Sequence, residues 1–289
     1  MCRARPVRRI LVDGGTPTAP GGIRGASVGA RRHPPAFPGP LGGTGADGPA
    51  GRGGPVRVEV DGTHFPLETL GPGRRLGIWL QGCPLACPGC MSRHTWDPRG
   101  GEPMDVERLL ALWRDALDRG AAGLTVSGGE PLAQPAALAE LLRGAARLRS
   151  GLTRPGATGD GLPADLLVYT GYEESELDAA RRAALASADA VVTGRFRVAE
   201  PTGLVWRGSA NQRLTPRTGL GRIRYAPHLD READGPAVQV VVESGRASGE
   251  PAGPPAVRLY GVPRRGELPR WERWLKERGL RLRERSWRP

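Results

Sequence analysis

"QGCPLACPGC", residues 81–90, sets Cys83, Cys87 and Cys90 at C-x3-C-x2-C spacing in a chain with only four cysteines. The fourth, Cys2, stands far away near the N-terminus. Three clustered thiols are an odd number, which suits metal ligation better than a disulfide framework. They also imply a reduced, cytoplasmic compartment. Pro84, Pro88 and Gly89 bend the loop tightly enough for three sulfurs to converge on one body. An iron–sulfur cube takes one thiolate per iron. Three thiolates would leave the fourth iron open, and an open position is what separates a catalytic metal site from a structural one. The competing reading is a zinc knuckle completed by His94. C-x3-C is an uncommon zinc half-site and no second ligand pair follows, so the cluster is preferred.

Outward from this loop, strand and helix patterns alternate. "VRVEV" (56–60) alternates with period two, and "LGIWLQG" (76–82) is a buried strand running into the first cysteine. "MDVERLLALWRDALDRG" (104–120) places Val106, Leu109, Leu110, Trp113 and Leu117 on one helical face and ends at a glycine. A short strand "GLTVSG" (123–128) precedes a helix with proline at its start, "PAALAELLRGAARL" (135–148). Strand "DLLVYTG" (165–171), helix "EESELDAARRAALAS" and strand "ADAVVTG" (188–194) follow. The tail adds strand "AVQVVVES" (237–244) and a helix near "LPRWERWLKERG" (268–279), whose Trp271 and Trp274 are expected to pack into the core. This order predicts an α/β fold with a mainly parallel sheet and right-handed crossovers. Parallel sheets bind ligands at the carboxyl ends of their strands. The cysteines, "SGGEP" and "YTGY" all follow strands and should share that edge.

"TVSGGEPL" (125–132) is a strand, a Gly-Gly turn, then Glu and Pro opening a helix. Gly128 and Gly129 permit positive φ and close approach of a ligand to backbone N–H groups. Beside a helix N-terminus such donors suit a small carboxylate, while Glu130 can accept from an ammonium. An amino acid's two charged ends would be gripped together.

The bulk numbers narrow the classes. The chain's 289 residues allow one large domain or two small ones. No run of 18 apolar residues occurs, which excludes a long membrane helix, and no apolar stretch follows the N-terminal arginines as in a secretory signal. The net charge of +12 sits at the two ends, with +6 in residues 1–55 and +7 in 258–289, so the middle is near neutral. A nucleic-acid surface would belong to the body of the fold, so nucleic acid is disfavoured, and a docking role for the C-terminal charge stays open. Residues 1–54, rich in Gly, Pro and Arg, are expected to be a disordered extension, or translation from an upstream start codon. Structure is expected from Pro55 to residue 289.

C-x3-C-x2-C followed by Gly-Gly-Glu-Pro resembles the radical S-adenosylmethionine superfamily. Within it the chain is most similar to the activating enzymes of anaerobic ribonucleotide reductase. "GCPLACPGC", "HTW" (94–96), "SGGEPL", "VYTGY" (168–172), "GRF" (194–196), "GSANQR" (208–213) and "YGVPRRGEL" (260–268) carry the resemblance over about 56–285. It implies a partial (βα) barrel and one [4Fe-4S] cluster held by Cys83, Cys87 and Cys90. S-adenosylmethionine would chelate the open iron and split to methionine and a 5′-deoxyadenosyl radical. That radical would abstract a glycine Cα–H from a partner glycyl radical enzyme, with a flavodoxin- or ferredoxin-type electron donor. Motif by motif, Gly89, Cys90 and Met91 would line the cofactor, and Gly128, Gly129 and Glu130 would hold its methionyl end. Thr170 and Gly171 would reach the same cofactor or serve a turn, and Asn211 and Gln212 would bind cofactor or order a lid. Met91 and Ser92 depart from the aromatic or His, then Asn, common in activases. With no cysteines left for a second cluster, sulfur insertion is disfavoured. The alternatives are a radical enzyme acting on a small molecule or peptide, and an electron-transfer module that has lost cofactor cleavage.

Overall fold

The computed structural model describes residues 10–13, 54–151, 161–235, 237–245, 253–278 and 281–282. Its strands and helices run β1 (Ile10–Asp13), β2 (Arg57–Leu67), β3 (Arg75–Leu80), β4 (Glu102–Asp105), α1 (Val106–Asp118), β5 (Gly123–Gly128), α2 (Pro135–Ser150) and β6 (Asp165–Tyr169). Then come α3 (Ala179–Ala184), β7 (Ala190–Thr193), β8 (Arg213–Pro216), α4 (Gly219–Tyr225), β9 (Val238–Gly245), β10 (Gly253–Gly261), α5 (Glu267–Glu277) and β11 (Arg281–Leu282). One sheet has the order β4-β2-β3-β5-β6-β7-β8 and a second has β11-β1-β10-β9. In the first, β3, β5, β6 and β7 are parallel neighbours, and antiparallel β2, β4 and β8 flank them. The fold is therefore mixed α/β with a mainly parallel centre.

The parallel strands are near-continuous apolar runs because both faces are covered. Leu124, Val126, Leu166, Val168 and Val191 pack in one cluster with helix residues. All five residues read as the apolar face of α1 are buried, and Ala116 joins them. Trp113 is fully buried and donates its indole N–H to Ala145 O of α2 at 3.2 Å. A Cβ on Gly144 would lie 2.5 Å from Leu110, so that glycine lets the two helices touch. Each fully buried leucine here stabilises the fold by roughly 1.5–3 kcal/mol.

Four expectations need correction. Met104 and Asp105 belong to β4, where "EPMD" pairs with β2, rather than to the helix. The helix expected across 173–187 is a 3-10 turn at Glu174–Glu176 and the short α3, capped by Asp178, whose carboxylate accepts from Arg181 N–H. Trp274 is 42% exposed, with Arg278 stacked on its ring, and the buried residue of that helix is Leu275. Ile10–Asp13, inside the stretch expected to lack order, is a strand bonded to β10 and β11. Its "ILVD" is an apolar island able to complete an existing edge. Cys2 and the rest of 1–53 lie outside the described residues.

The second sheet packs on the first through Tyr260, which stacks on His64 at 4.3 Å and lies 4.8 Å from Trp79. Leu67 and Leu70 complete that contact.

Candidate iron–sulfur and cofactor site

The four parallel strands end at Leu80, Gly128, Tyr169 and Thr193. Each is followed by one of the singled-out loops, so the shared edge is as expected.

At the base of the cysteine loop Gln81 is buried, and its Nε2 donates to His94 O and Asp97 O at 3.1 and 2.7 Å. Gly82 and Cys83 donate their N–H groups to Thr95 O and Trp96 O. Residues 82–97 are thereby closed into a ring. Gln134 secures it from below, donating to Gln81 O and Glu59 O. Neither glutamine was singled out in sequence, since a lone Gln carries no motif. Within the ring, positive φ at Ala86 (46°) and Gly89 (78°) turns the chain between the cysteines.

Cys83, Cys87 and Cys90 are free thiols, all partly exposed. Burial pushes the Cys83 thiol up, while N–H groups of Leu85 and Ala86 pull it back. Burial also raises Cys90, opposed by the Ser92 N–H and the Trp96 side chain; the Ser92 nitrogen lies 3.4 Å from the sulfur. N–H donors aimed at sulfur favour thiolates, the form that binds iron. Among the described residues no three His, Cys, Asp or Glu side chains gather as a single-ion site. A zinc ion would need its ligands at 2.0–2.3 Å from one centre, whereas a cube takes its thiolates at separate corners. His94 turns to Asp61, 3.4 Å away. The donor set fits the cluster better than the knuckle.

The Gly-Gly-Glu turn is bonded to this loop. Gly129 and Glu130 donate their N–H groups to Leu80 O and Gly82 O, at 2.7 and 2.8 Å. This corrects one expectation: those donors are already taken and do not offer themselves to a carboxylate. A Cβ on Gly129 would stand 2.4 Å from Gly82 O and one on Gly128 2.3 Å from Leu80 O, so both glycines permit contact between the two loops. Gly128 also has φ of 115°.

Glu130 is 1% exposed. Its Oε1 accepts from Leu132 N–H (2.9 Å) and the Thr170 hydroxyl (2.8 Å), and Oε2 accepts from Gly171 N–H (2.7 Å). Burial raises its pKa despite these three donors. Thr170 and Gly171 thus meet the site through Glu130. Leu85 closes over them, since a Cβ on Gly171 would lie 2.4 Å from its Cδ1. Oε2 accepts from one donor only and keeps a lone pair for another.

"GRF" and "GSANQR" form a single unit. Gln212 accepts from Gly208 N–H and donates to Gly194 O, and Asn211 Nδ2 donates to Arg195 O at 2.9 Å. Asn211 Oδ1 is buried with no hydrogen-bond partner among the described residues, a mark of a group shaped for a ligand. Arg195 lies within electrostatic reach of Cys87, which ties this unit to the cysteine loop. Gly89 faces Phe196 and Val198. Met91 is half-buried.

Three cysteines on one loop and a buried glutamate lie at one edge of a parallel sheet, and the family described as "4Fe-4S single cluster domain" matches residues 69–215. The chain belongs to that family, and within it to the family of the anaerobic ribonucleoside-triphosphate reductase-activating proteins. The protein of that name from Escherichia coli (strain K12) is 31% identical over 153 residues, 52% of this chain and 93% of the relative. That of Pasteurella multocida (strain Pm70) is 35% identical over 156 residues, 52% and 92%, and that of Enterobacteria phage T4 29% over 155, 53% and 92%. A solved structure, the crystal structure of QueE from Escherichia coli, covers 50% of this chain and 73% of its own at 19% identity, with a TM-score of 0.31. That likeness is too slight to build on. Among the described residues no helix is long and apolar enough to cross a membrane.

Proposed function

We propose that this chain is a radical S-adenosylmethionine enzyme that installs a glycyl radical on a partner such as anaerobic ribonucleotide reductase. The observation that carries the reading is the cysteine loop bonded at its base to the Gly-Gly-Glu turn, in a chain spanning 93% of a relative named as a reductase-activating protein. Residues 55–289 would be the catalytic domain and 1–54 an extension. The open seven-stranded sheet would be a partial (βα) barrel.

Cys83, Cys87 and Cys90 would each hold one iron of a [4Fe-4S] cluster, leaving the fourth iron for S-adenosylmethionine. When bound, these groups supply a 5′-deoxyadenosyl radical that takes hydrogen from a glycine Cα–H. The protein's part is to bind, orient and keep water out. Glu130 would receive the cofactor's ammonium on the free lone pair of Oε2, and its carboxylate is held rigid by Thr170, Gly171 and Leu132. Thr170 is therefore a positioning residue. Gly128 and Gly129 set the distance between Glu130 and the cysteine loop. Gly89, Cys90 and Met91 would line the cofactor, and Asn211 Oδ1 would accept from one of its N–H or O–H donors. A flavodoxin- or ferredoxin-type protein would deliver the electron in a reduced, cytoplasmic compartment.

The test is to mix cluster-loaded protein anaerobically with the reductase, S-adenosylmethionine and dithionite. A glycyl-radical resonance on the reductase supports the reading. Deoxyadenosine formation with no radical on the reductase removes this partner and points to a small-molecule or peptide substrate.

A further inference from the structure

A cavity of about 470 Å³ shares Phe196 and Val198 with the wall that faces Gly89 of the cysteine loop, and is otherwise lined by the 201–208 segment and by residues between His228 and Arg265, beyond the family match. Arg207, only 8% exposed, lines it. Nε of Arg207 donates to Val205 O (3.4 Å) and one Nη to His228 O (3.3 Å) and Leu229 O (2.5 Å). The other Nη has no hydrogen bond, and no carboxylate forms an ion pair with this guanidinium among the described residues. Carbonyl oxygens solvate a cation without neutralising it, and a buried unpaired charge is costly. Burial accordingly depresses the pKa of Arg207, and Asp230 acts on it only from a distance.

The rim adds charge of the same sign. Arg231, Arg264 and Arg265 also line the cavity, against Glu68 and Asp234. Asp234 is engaged by Arg231 at 2.9 Å. Arg264 donates to Ala233 O, and Arg265 has no partner among the described residues. Burial and Arg231 lower the pKa of His228, which also lines the cavity. Arg207, Arg264 and Arg265 have no carboxylate partner among the described residues, and guanidinium forks match phosphate oxygens in pairs. The volume is far larger than a free phosphate and falls in the range of small-molecule sites. Leu204, Trp206 and Val262 supply an apolar wall for the remainder.

We propose that this cavity binds a small phosphate-bearing molecule of nucleotide size, its phosphates on Arg207 and the rim arginines and its body along the apolar wall. The inference is independent of the reaction proposed above, because binding is read without turnover. The experiment is anaerobic titration calorimetry of the cluster-loaded full chain with ADP, inorganic pyrophosphate and adenosine, each with and without saturating S-adenosylmethionine. ADP and pyrophosphate should bind, ADP more tightly, and adenosine at least about tenfold more weakly than ADP. Arg207→Gln should weaken both anions by about tenfold or more. Arg265→Ala, at an exposed position that does not threaten folding, should weaken them by about threefold. Absence of anion binding, equal binding of adenosine and ADP, or unchanged affinity in both variants would overturn the proposal. So would loss of ADP binding when S-adenosylmethionine is saturating, since ADP would then occupy the cofactor's place.

Discussion

The two edges of the parallel sheet use polar groups in opposite ways. At the amino edge the buried charges of Arg75, Asp165 and Asp189 are answered. Arg75, fully buried at the start of β3, gives two bonds to Asp165 at 2.6 and 3.0 Å, and others to Thr125, Leu124 O and Pro72 O. Tyr225 and Arg224 reach the same carboxylate. Asp189, just before β7, accepts from Arg149, Leu166 N–H and Thr218. At the carboxyl edge three thiols are unbonded to one another, Asn211 Oδ1 lacks a donor among the described residues, and Glu130 keeps a lone pair. One edge is closed by its own side chains, and the other is arranged for groups that come from outside. Stability and chemistry therefore sit at opposite ends of the same strands, and substitutions should separate them.

The largest effect expected is on chemistry alone. Cys87→Ala should lose the cluster and all turnover, yet shift the denaturation midpoint of the cluster-free protein by no more than about 0.5 kcal/mol. Cys2→Ala should change neither. Iron retained in the Cys87 variant would break the ligand assignment.

At the other edge the order reverses. Asp165→Asn leaves Arg75 buried beside a neutral amide and should cost roughly 3–5 kcal/mol in denaturant titration. A cost below about 1 kcal/mol would show that Arg224, Tyr225 or water compensates.

Glu130→Gln lies between these cases. Its single carbonyl oxygen cannot serve three donors, so about 1–3 kcal/mol of local stability is lost. The cluster should survive while S-adenosylmethionine binds more weakly. Unchanged cofactor affinity would leave Glu130 as a brace for the loops and nothing more.

The smallest effect is a titration. On the exposed helix turn after β6, the hydrogen bond from Arg195 holds the Glu176 carboxyl at about 2. A carboxyl depressed in the fold contributes stability above its ordinary 4.5, and loses it as pH falls toward 2. In Arg195→Ala the NMR titration midpoint of Glu176 should move back up toward 4.5. No movement would assign the shift to the Glu173 N–H instead.

What was legible in the sequence followed local rules. The α1 stripe, the strands ahead of each motif and the shared edge came from periodicity and order. "EPMD" was misread because a proline-containing edge strand has no alternation to reveal it. β10 was missed where Pro254 and Pro255 interrupt its pattern. Trp274 went wrong because helical spacing identifies a face, without telling whether anything covers it. In the site, cysteine spacing and Glu130 were readable as chemistry. Two of the three donors that fix Glu130 come from 40 and 41 residues further along, and the Arg75–Asp165 pair spans 90. Only the folded chain brings such partners together. The Gly-Gly turn shows the same limit: its permissive backbone was visible, but the Leu80 and Gly82 carbonyls that use it were not.

The most direct test of the carboxyl edge is anaerobic reconstitution with iron and sulfide, followed by dithionite and S-adenosylmethionine, with iron, zinc and 5′-deoxyadenosine measured together. About four irons per chain with deoxyadenosine formed is the predicted result. Retained zinc, no cluster and no deoxyadenosine would contradict the account at its first residue, Cys83.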